Sequence, residues 1–379
     1  MTSKTIPAFR PLSEAYLDLI RGIAANLVLV EHTSRIFWGE PILPFGTIGV
    51  TFFFLISGFL IMNSAWRRFG APGPQLESFL IDRTSRIFTA FVPVLVIVAL
   101  VVPFLVSGNW SQPGISKGPV AFIANLFLLN DYPLFQITSR LLHTFQFHVR
   151  SYETAEPFWT IPIEYWIYVV FGIFMFCFVN GYRMRGLLLP VLFVVALPVV
   201  IWNSFAGGGD SLTLIWCVGA LFGYVFIRQF TMSRQRIAMV AAAITGFGLI
   251  GFMGRVAQNG FVGYEVQTTI FAAMILFGLL FMINQLDVRF RLLEKLAQGF
   301  ASYSYSLYLI HNTVLIIVYE NIHPANASLT PIIGMVAAHL VAMGCYWCFE
   351  RHHKTVARYW KARLSRRTAD EPAPAFASS

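Results

Sequence analysis

Residues 87–106 read IFTAFVPVLVIVALVVPFLV, twenty positions without a single charge. Twenty residues of α-helix rise about 30 Å, the thickness of a bilayer's hydrocarbon core. Working outward, similar apolar runs occupy Tyr16–Glu31, Ile48–Trp66, Phe158–Val179, Gly186–Phe205 and Ser211–Arg228, then Arg236–Gly254, Thr268–Asn284, Ser302–Glu320 and Thr330–Phe349. The fold class this implies is all-α, a polytopic membrane bundle of about ten transmembrane helices. Proline inside several runs (Pro93, Pro162, Pro190, Pro198) is no objection, because neighbouring helices satisfy the freed carbonyls.

Composition agrees. The chain is 57% hydrophobic and 12% charged, with a mean hydropathy of +0.66. A soluble domain carries roughly 25% charged residues, so half that share leaves a water-facing surface uncovered. The 37 phenylalanines and nine tryptophans fit lipid better than water.

Lysine and arginine set the orientation. With ten spans both termini share one side. If that side is the cytoplasm, the only basic residues left outside it among the 27 are Arg35, Lys117, Arg140, Arg150 and Arg255, plus Arg21 inside the first span. The positive-inside rule therefore places both termini in the cytoplasm. It also accounts for the net charge of +9 without nucleic acid as a partner. The first fifteen residues are polar and the first run holds Arg21, so that run reads as a signal anchor rather than a cleaved signal. Residues 1–350 are taken as the transmembrane domain. Residues 351–379 form a basic cytoplasmic tail, expected to lie as a helix on anionic lipid headgroups and to end in disorder.

Cys177, Cys217, Cys345 and Cys348 all fall in spans. Cys345 and Cys348 form a CxxC without histidine partners, so they read as packing residues and no metal is expected. One loop is long, Ser107–Pro157 on the outer side. Its apolar stretch Pro119–Asn130 is too short to cross and reads as an interfacial or re-entrant helix, or as a lid on the outer helix ends. There is no internal repeat.

Ionisable groups at membrane depth cost at least about 2.5 kcal/mol each, so each is a functional hypothesis by default. On the first span Arg21 and His32 stand eleven residues apart, on nearly one face and about 16 Å apart in height. Snorkelling would explain each of them equally well on its own. Arg83 and Arg86, in DRTSRIF, open the third span at i, i+3 and suit phosphate, although topology alone also supplies arginines there. Glu164 lies in FWTIPIEYWIYVV beside Trp159 and Tyr168. His311 lies in SYSYSLYLIHNTVL after Ser304, Tyr305 and Tyr308. Both helices must face protein.

Taken together these stretches resemble the acyltransferase-3 family of membrane-bound acyltransferases, which O-acylate cell-surface polysaccharides. LDLIRGIAANLVLVEH carries Arg21 and His32 at the family's arginine–ten residues–histidine spacing. GVTFFFLISGFLI resembles the second-helix signature, and Arg83-Thr84-Ser85-Arg86 the RxxR motif. FWTIPIEYWIY and SYSLYLIH complete the order. Thr160-Ile161-Pro162 departs from the usual serine–leucine–serine and is expected to bend the helix before Glu164.

The resemblance implies transfer of an acyl group, acetyl by family frequency, from cytoplasmic acyl-CoA to a hydroxyl of an extracytoplasmic glycan or glycolipid. Arg21, Arg83 and Arg86 would bind the donor. His32 would be the general base or an acylated intermediate, with Glu164 positioning the acceptor or the imidazole. Trp159, Tyr168, Ser304, Tyr305, Tyr308 and His311 would support the acceptor. No hydrolase-like segment follows the last span, so the membrane part or a partner would complete transfer. Membrane lipids and polysaccharide-assembly proteins are the expected partners, and the bacterial plasma membrane the expected location. The rival from another class is a proton-coupled secondary transporter or flippase using Glu164, His32 and His311 as a relay, against which stands the lack of repeated halves.

Overall fold

The computed structural model describes residues 9–71, 73–107, 115–141, 148–182, 187–205, 211–229, 232–260, 263–322 and 327–370. Its long helices are α1 (Pro11–Trp38), α2 (Phe45–Trp66) and α3 (Gln75–Leu105), followed by short α4 (Gly118–Leu126) and α5 (Pro133–Leu141). Then come α6 (Thr160–Ile173), continued by a wider π turn over Phe174–Val179, α7 (Leu188–Phe205), α8 (Leu212–Arg228), α9 (Arg234–Asn259) and α10 (Val266–Ile283). The chain closes with α11 (Arg291–Ser302), α12 (Ser304–Asn321), α13 (Thr330–Cys348) and α14 (His353–Asp370).

Each of the ten expected spans is helical. Among the described residues, seven helical stretches are long and apolar enough to cross a membrane, and α8 is apolar but only 17 residues long. The remaining two, α1 and α12, fall short of that apolar measure because they hold Asp18, Arg21 and Glu31, and His311, Asn312 and Glu320. They sit inside. All but five of the 18 positions of α12 are buried, where its polar groups meet other helices instead of lipid. Phe104, Leu188, Phe247, Ile250 and Met253 instead stand exposed, an apolar surface that hydrocarbon covers and water does not. The protein is an all-α integral membrane bundle.

One close approach explains a motif. A Cβ placed on Gly58 would lie 2.1 Å from the carbonyl oxygen of Trp216, and one on Gly219 would lie 2.1 Å from that of Leu55. The backbones of α2 and α8 therefore touch, as small residues allow between membrane helices. The glycine of the sequence LISGFLI is a packing requirement.

Three expectations need correction or completion. Pro162 causes no bend in mid-helix. It lies in the first turn of α6, where a missing N–H leaves nothing unsatisfied. The described part of the long loop holds the short helix α4 and is tied to itself and to α6. Ile115–Ser116 (β1) pairs in parallel with Ser151–Tyr152 (β2), Asn125 donates to the carbonyl of Arg150 at 3.0 Å, and Trp166 Nε1 donates to that of Leu128 at 2.8 Å. The basic tail is helical but does not simply lie on lipid. Its helix α14 packs against α3, with Ala357 only 5% exposed. Residues 371–379, expected to be disordered, lie outside the described residues.

Candidate active site

A cavity of about 420 Å³ opens between α1, α2, α3, α6, α12 and α14. Arg21, Arg83, Arg86, Glu164, Tyr168, Ser304, Tyr305 and Tyr308 line it, so eight of the eleven expected site residues share one cavity. Trp159, His32 and His311 do not. Trp159 stacks edge-on against Tyr264, with ring centroids 6.1 Å apart.

At one end the arginines converge. Arg86 Nη1 donates to Glu350 Oε1 at 2.8 Å, and Glu350 is 1% exposed. The other oxygen of Glu350 accepts from the backbone N–H and hydroxyl of Ser306, at 3.0 and 2.7 Å. Arg86 also lies over the ring of Tyr305, at 5.5 Å, whose hydroxyl donates to the carbonyl of Ile87 at 3.3 Å. Arg21 stands 3.6 Å from Asp18. Arg83 differs from both. It is half-buried, its Nε has no partner, and no carboxylate pairs with it among the described residues. A ligand anion would therefore meet Arg83 first. Ser304 turns its hydroxyl to the carbonyl of Ala301 at 2.8 Å and helps close the wall.

Midway along, Glu164 Oε1 accepts from Ser57 Oγ at 3.0 Å and from the hydroxyl of Tyr168. Trp216 Nε1 donates to the same Ser57 oxygen at 3.1 Å. The Gly58–Gly219 approach makes that contact reachable, because it draws α8 onto α2. Glu164 is held on one oxygen and leaves the other without a protein partner among the described residues. Among the described residues no hydrogen bond joins it to His32, so of its two expected roles, positioning the acceptor or the imidazole, the second has no contact behind it.

The imidazole is oriented by other groups. His32 Nδ1 lies 2.8 Å from Asn312 Oδ1, while Asn312 Nδ2 donates to the carbonyl of Thr154 at 2.6 Å. That second bond fixes the amide, so its oxygen faces the ring and Nδ1 must carry the hydrogen. Nε2 is left as the basic nitrogen. Glu156 Oε2 stands 3.8 Å from Nδ1, and its Oε1 accepts from Arg35 at 3.2 Å. Glu31, next to His32 in sequence, instead holds the N–H of Gly46 at the start of α2, at 2.7 Å. His311 packs edge-on to His32 with ring centroids 5.0 Å apart. Its Nδ1 donates to the carbonyl of Leu307 at 2.9 Å, and its buried Nε2 has no partner among the described residues.

Tyr308 joins the two ends. It lines the cavity, its ring lies 6.2 Å from that of His311, and its hydroxyl meets Thr160 Oγ1 at 2.7 Å. Sequence reasoning missed Ser57, Glu156, Asn312 and Glu350. Ser57 and Asn312 each adjoin a residue the motifs already mark, which is the one signal that could have found them. Glu156 and Glu350 sit at helix ends and carry no such mark.

The comparisons with known proteins follow this geometry. A family described as an acyltransferase domain matches residues 14–351. Over 316 residues the chain is 24% identical to an O-acetyl transferase of Shigella phage Sf6, covering 81% of this chain and 86% of that protein. It is 27% identical over 228 residues to nodulation protein 10 of Rhizobium leguminosarum bv. viciae, covering 58% of this chain and 52% of that one. It is 25% identical over 199 residues to the peptidoglycan O-acetyltransferase OatA of Listeria monocytogenes, covering 50% and 28%. No solved structure matches.

Proposed function

From the premise that this chain belongs to the acyltransferase-3 family, which the match over residues 14–351 shows, we propose that it moves an acetyl group from acetyl-CoA to a hydroxyl of a glycan or glycolipid outside the cytoplasm. The family makes the chain a membrane acyltransferase. The similarity to O-acetyltransferases, one of them named for peptidoglycan, supports the acetyl group and a glycan acceptor. We take residues 1–350 as the catalytic unit, with the tail helix joined to its wall. The arginine end faces the cytoplasm of a bacterial plasma membrane and the histidine end faces out.

One observation carries the reading. A single helix, α1, joins a cation-lined cavity to an imidazole whose Nε2 is left bare by the bond to Asn312. Donor phosphates would lie at Arg83, with Arg21 and Arg86 adding field from their own pairs. The thioester arm would run past Glu164 and Tyr308 toward His32. The acceptor hydroxyl would give its proton to His32 Nε2 as its oxygen attacks the thioester carbonyl. The C–S bond then breaks, and the thiolate takes up the proton to leave as the free thiol. Glu156, close to Nδ1, would steady the positive charge on the ring while it lasts. The same geometry allows Nε2 to attack first and form an acyl-histidine.

The test is direct. Purified protein is supplied with acetyl-CoA and with glycans from cells lacking the gene, and thiol release is followed. Release that depends on acceptor, with a new ester on the glycan, is the expected result. Proton or sugar movement across vesicles without thiol release would return the chain to the transporter reading.

A further inference from the structure

The mechanism above leaves the terminal helix without a task, yet that helix forms part of the cavity wall. Glu350 fixes where it begins. Arg86 and Ser306 hold both of its carboxylate oxygens, so the chain turns back beneath α3 and α12 instead of leaving the bundle. His353, Ala357 and Lys361, four residues apart, then share one helix face. Along that face Lys361 Nζ lies 2.6 Å from Asp82 Oδ2, an oxygen Arg68 also holds. His353, Lys354 and Ala357 all line the cavity together with Asp82 and Arg83.

Charge narrows what such a wall can serve. Arg21 and Arg86 have carboxylate partners, Asp82 has two cations, and Glu164 has two hydroxyls. Arg83 and Lys354 are left. Neither has an ion pair among the described residues, and they stand on different helices, one half-buried and one exposed at the mouth. A ligand with one anionic group would need only one of them. Two uncommitted cations on two elements fit a ligand with phosphates at two separated places. The guanidinium suits a planar pair of oxygens, and the ammonium suits a monoester as a point charge.

We infer that α14 is a wall of the donor site and that Lys354 binds a second phosphate of the donor, the ribose monoester of an acyl-CoA, while Arg83 serves the diphosphate. This rests on the donor reading given above, since it concerns the same cavity. The other source of a phosphate at that mouth is an anionic lipid headgroup, and the experiment separates the two.

The protein is assayed for thiol release with the acceptor glycans used above, with acetyl-CoA and with its 3′-dephospho analogue, in vesicles with and without phosphatidylglycerol. The wild-type KM should be about tenfold higher for the dephospho donor, the loss of one charge-assisted contact. Lys354→Ala should raise KM for acetyl-CoA by the same factor in both vesicle types and leave KM for the dephospho donor where it was. Equal weakening of both donors, or of neither, would overturn the assignment. So would an effect seen only with anionic lipid, which would give Lys354 to a headgroup. Wild-type protein that releases no thiol from either donor would instead sink the donor reading beneath it.

Discussion

The two ends of α1 solve opposite electrostatic problems. At the arginine end, charge has to persist in a poorly hydrated place, and the structure supplies carboxylates for it: Glu350 bonded to Arg86 at 2.8 Å, and Asp18 at 3.6 Å from Arg21. At the histidine end, the base we propose has to stay neutral until a proton arrives. There the direct partner is an amide, Asn312, and the carboxylate of Glu156 stands off at 3.8 Å. A carboxylate bonded to an imidazole favours the charged ring, whereas an amide orients it without adding charge. The contrast teaches which residues are structural and which are free to act. Arg86 is consumed by its pair and Arg83 is not, although the RxxR spacing presents them as equals.

The sharpest way to break this comparison is at the imidazole. His32→Ala should lower turnover by about 10²–10⁴-fold, the range for a lost general base, with the protein still inserted and folded. Full activity in that variant would remove the proposed chemistry. The next largest effect is expected at Arg86. Arg86→Ala leaves Glu350 buried without its cation, which costs about 3–5 kcal/mol. It should appear as a lowered melting temperature in detergent that Glu350→Gln partly restores. A variant that melts normally and shows only a raised KM for donor would make the two arginines equivalent after all.

Asn312→Ala sharpens the other side. Without the amide the ring loses its fixed tautomer and aim, and turnover should fall about 10–100-fold, a loss of about 1.4–2.8 kcal/mol in barrier terms. KM for acetyl-CoA should stay put, and a KM change equal to the loss in turnover would count against an orienting role. The smallest effect is reserved for Arg83→Ala, an increase of about tenfold in KM for the donor with turnover at saturation kept, as for one lost charge-assisted contact. An unchanged KM would return Arg83 to a purely topological role.

Parts of this arrangement were legible in the chain and parts were not. Arg21 and His32 lie on one helix, so their separation along it follows from helical rise alone. Glu164, Tyr168, Tyr305 and Tyr308 were recognisable because polar groups at membrane depth have to face protein. What could not be read was pairing. Glu164 looked like the natural partner of His32 because both face inward from neighbouring spans, yet it bonds Ser57 and Tyr168. Glu350, the last residue of the expected transmembrane domain, drew no reading, yet it is almost fully buried against Arg86. Pro162 looked like a kink, and its place in the first turn of α6 removes that consequence.

The sequence by itself determined that this is a membrane bundle, where its helices run, and which helices carry ionisable groups at membrane depth. Those properties are local, set by the apolar length of each run and by the cost of placing a charge in hydrocarbon. Only the tertiary structure decided which polar groups meet: Asn312 on His32, Glu350 on Arg86, and the terminal helix on the cavity. Such contacts join residues hundreds of positions apart. They depend on how closely two helices approach, here on Gly58 and Gly219, and no periodicity along one strand of sequence records that distance.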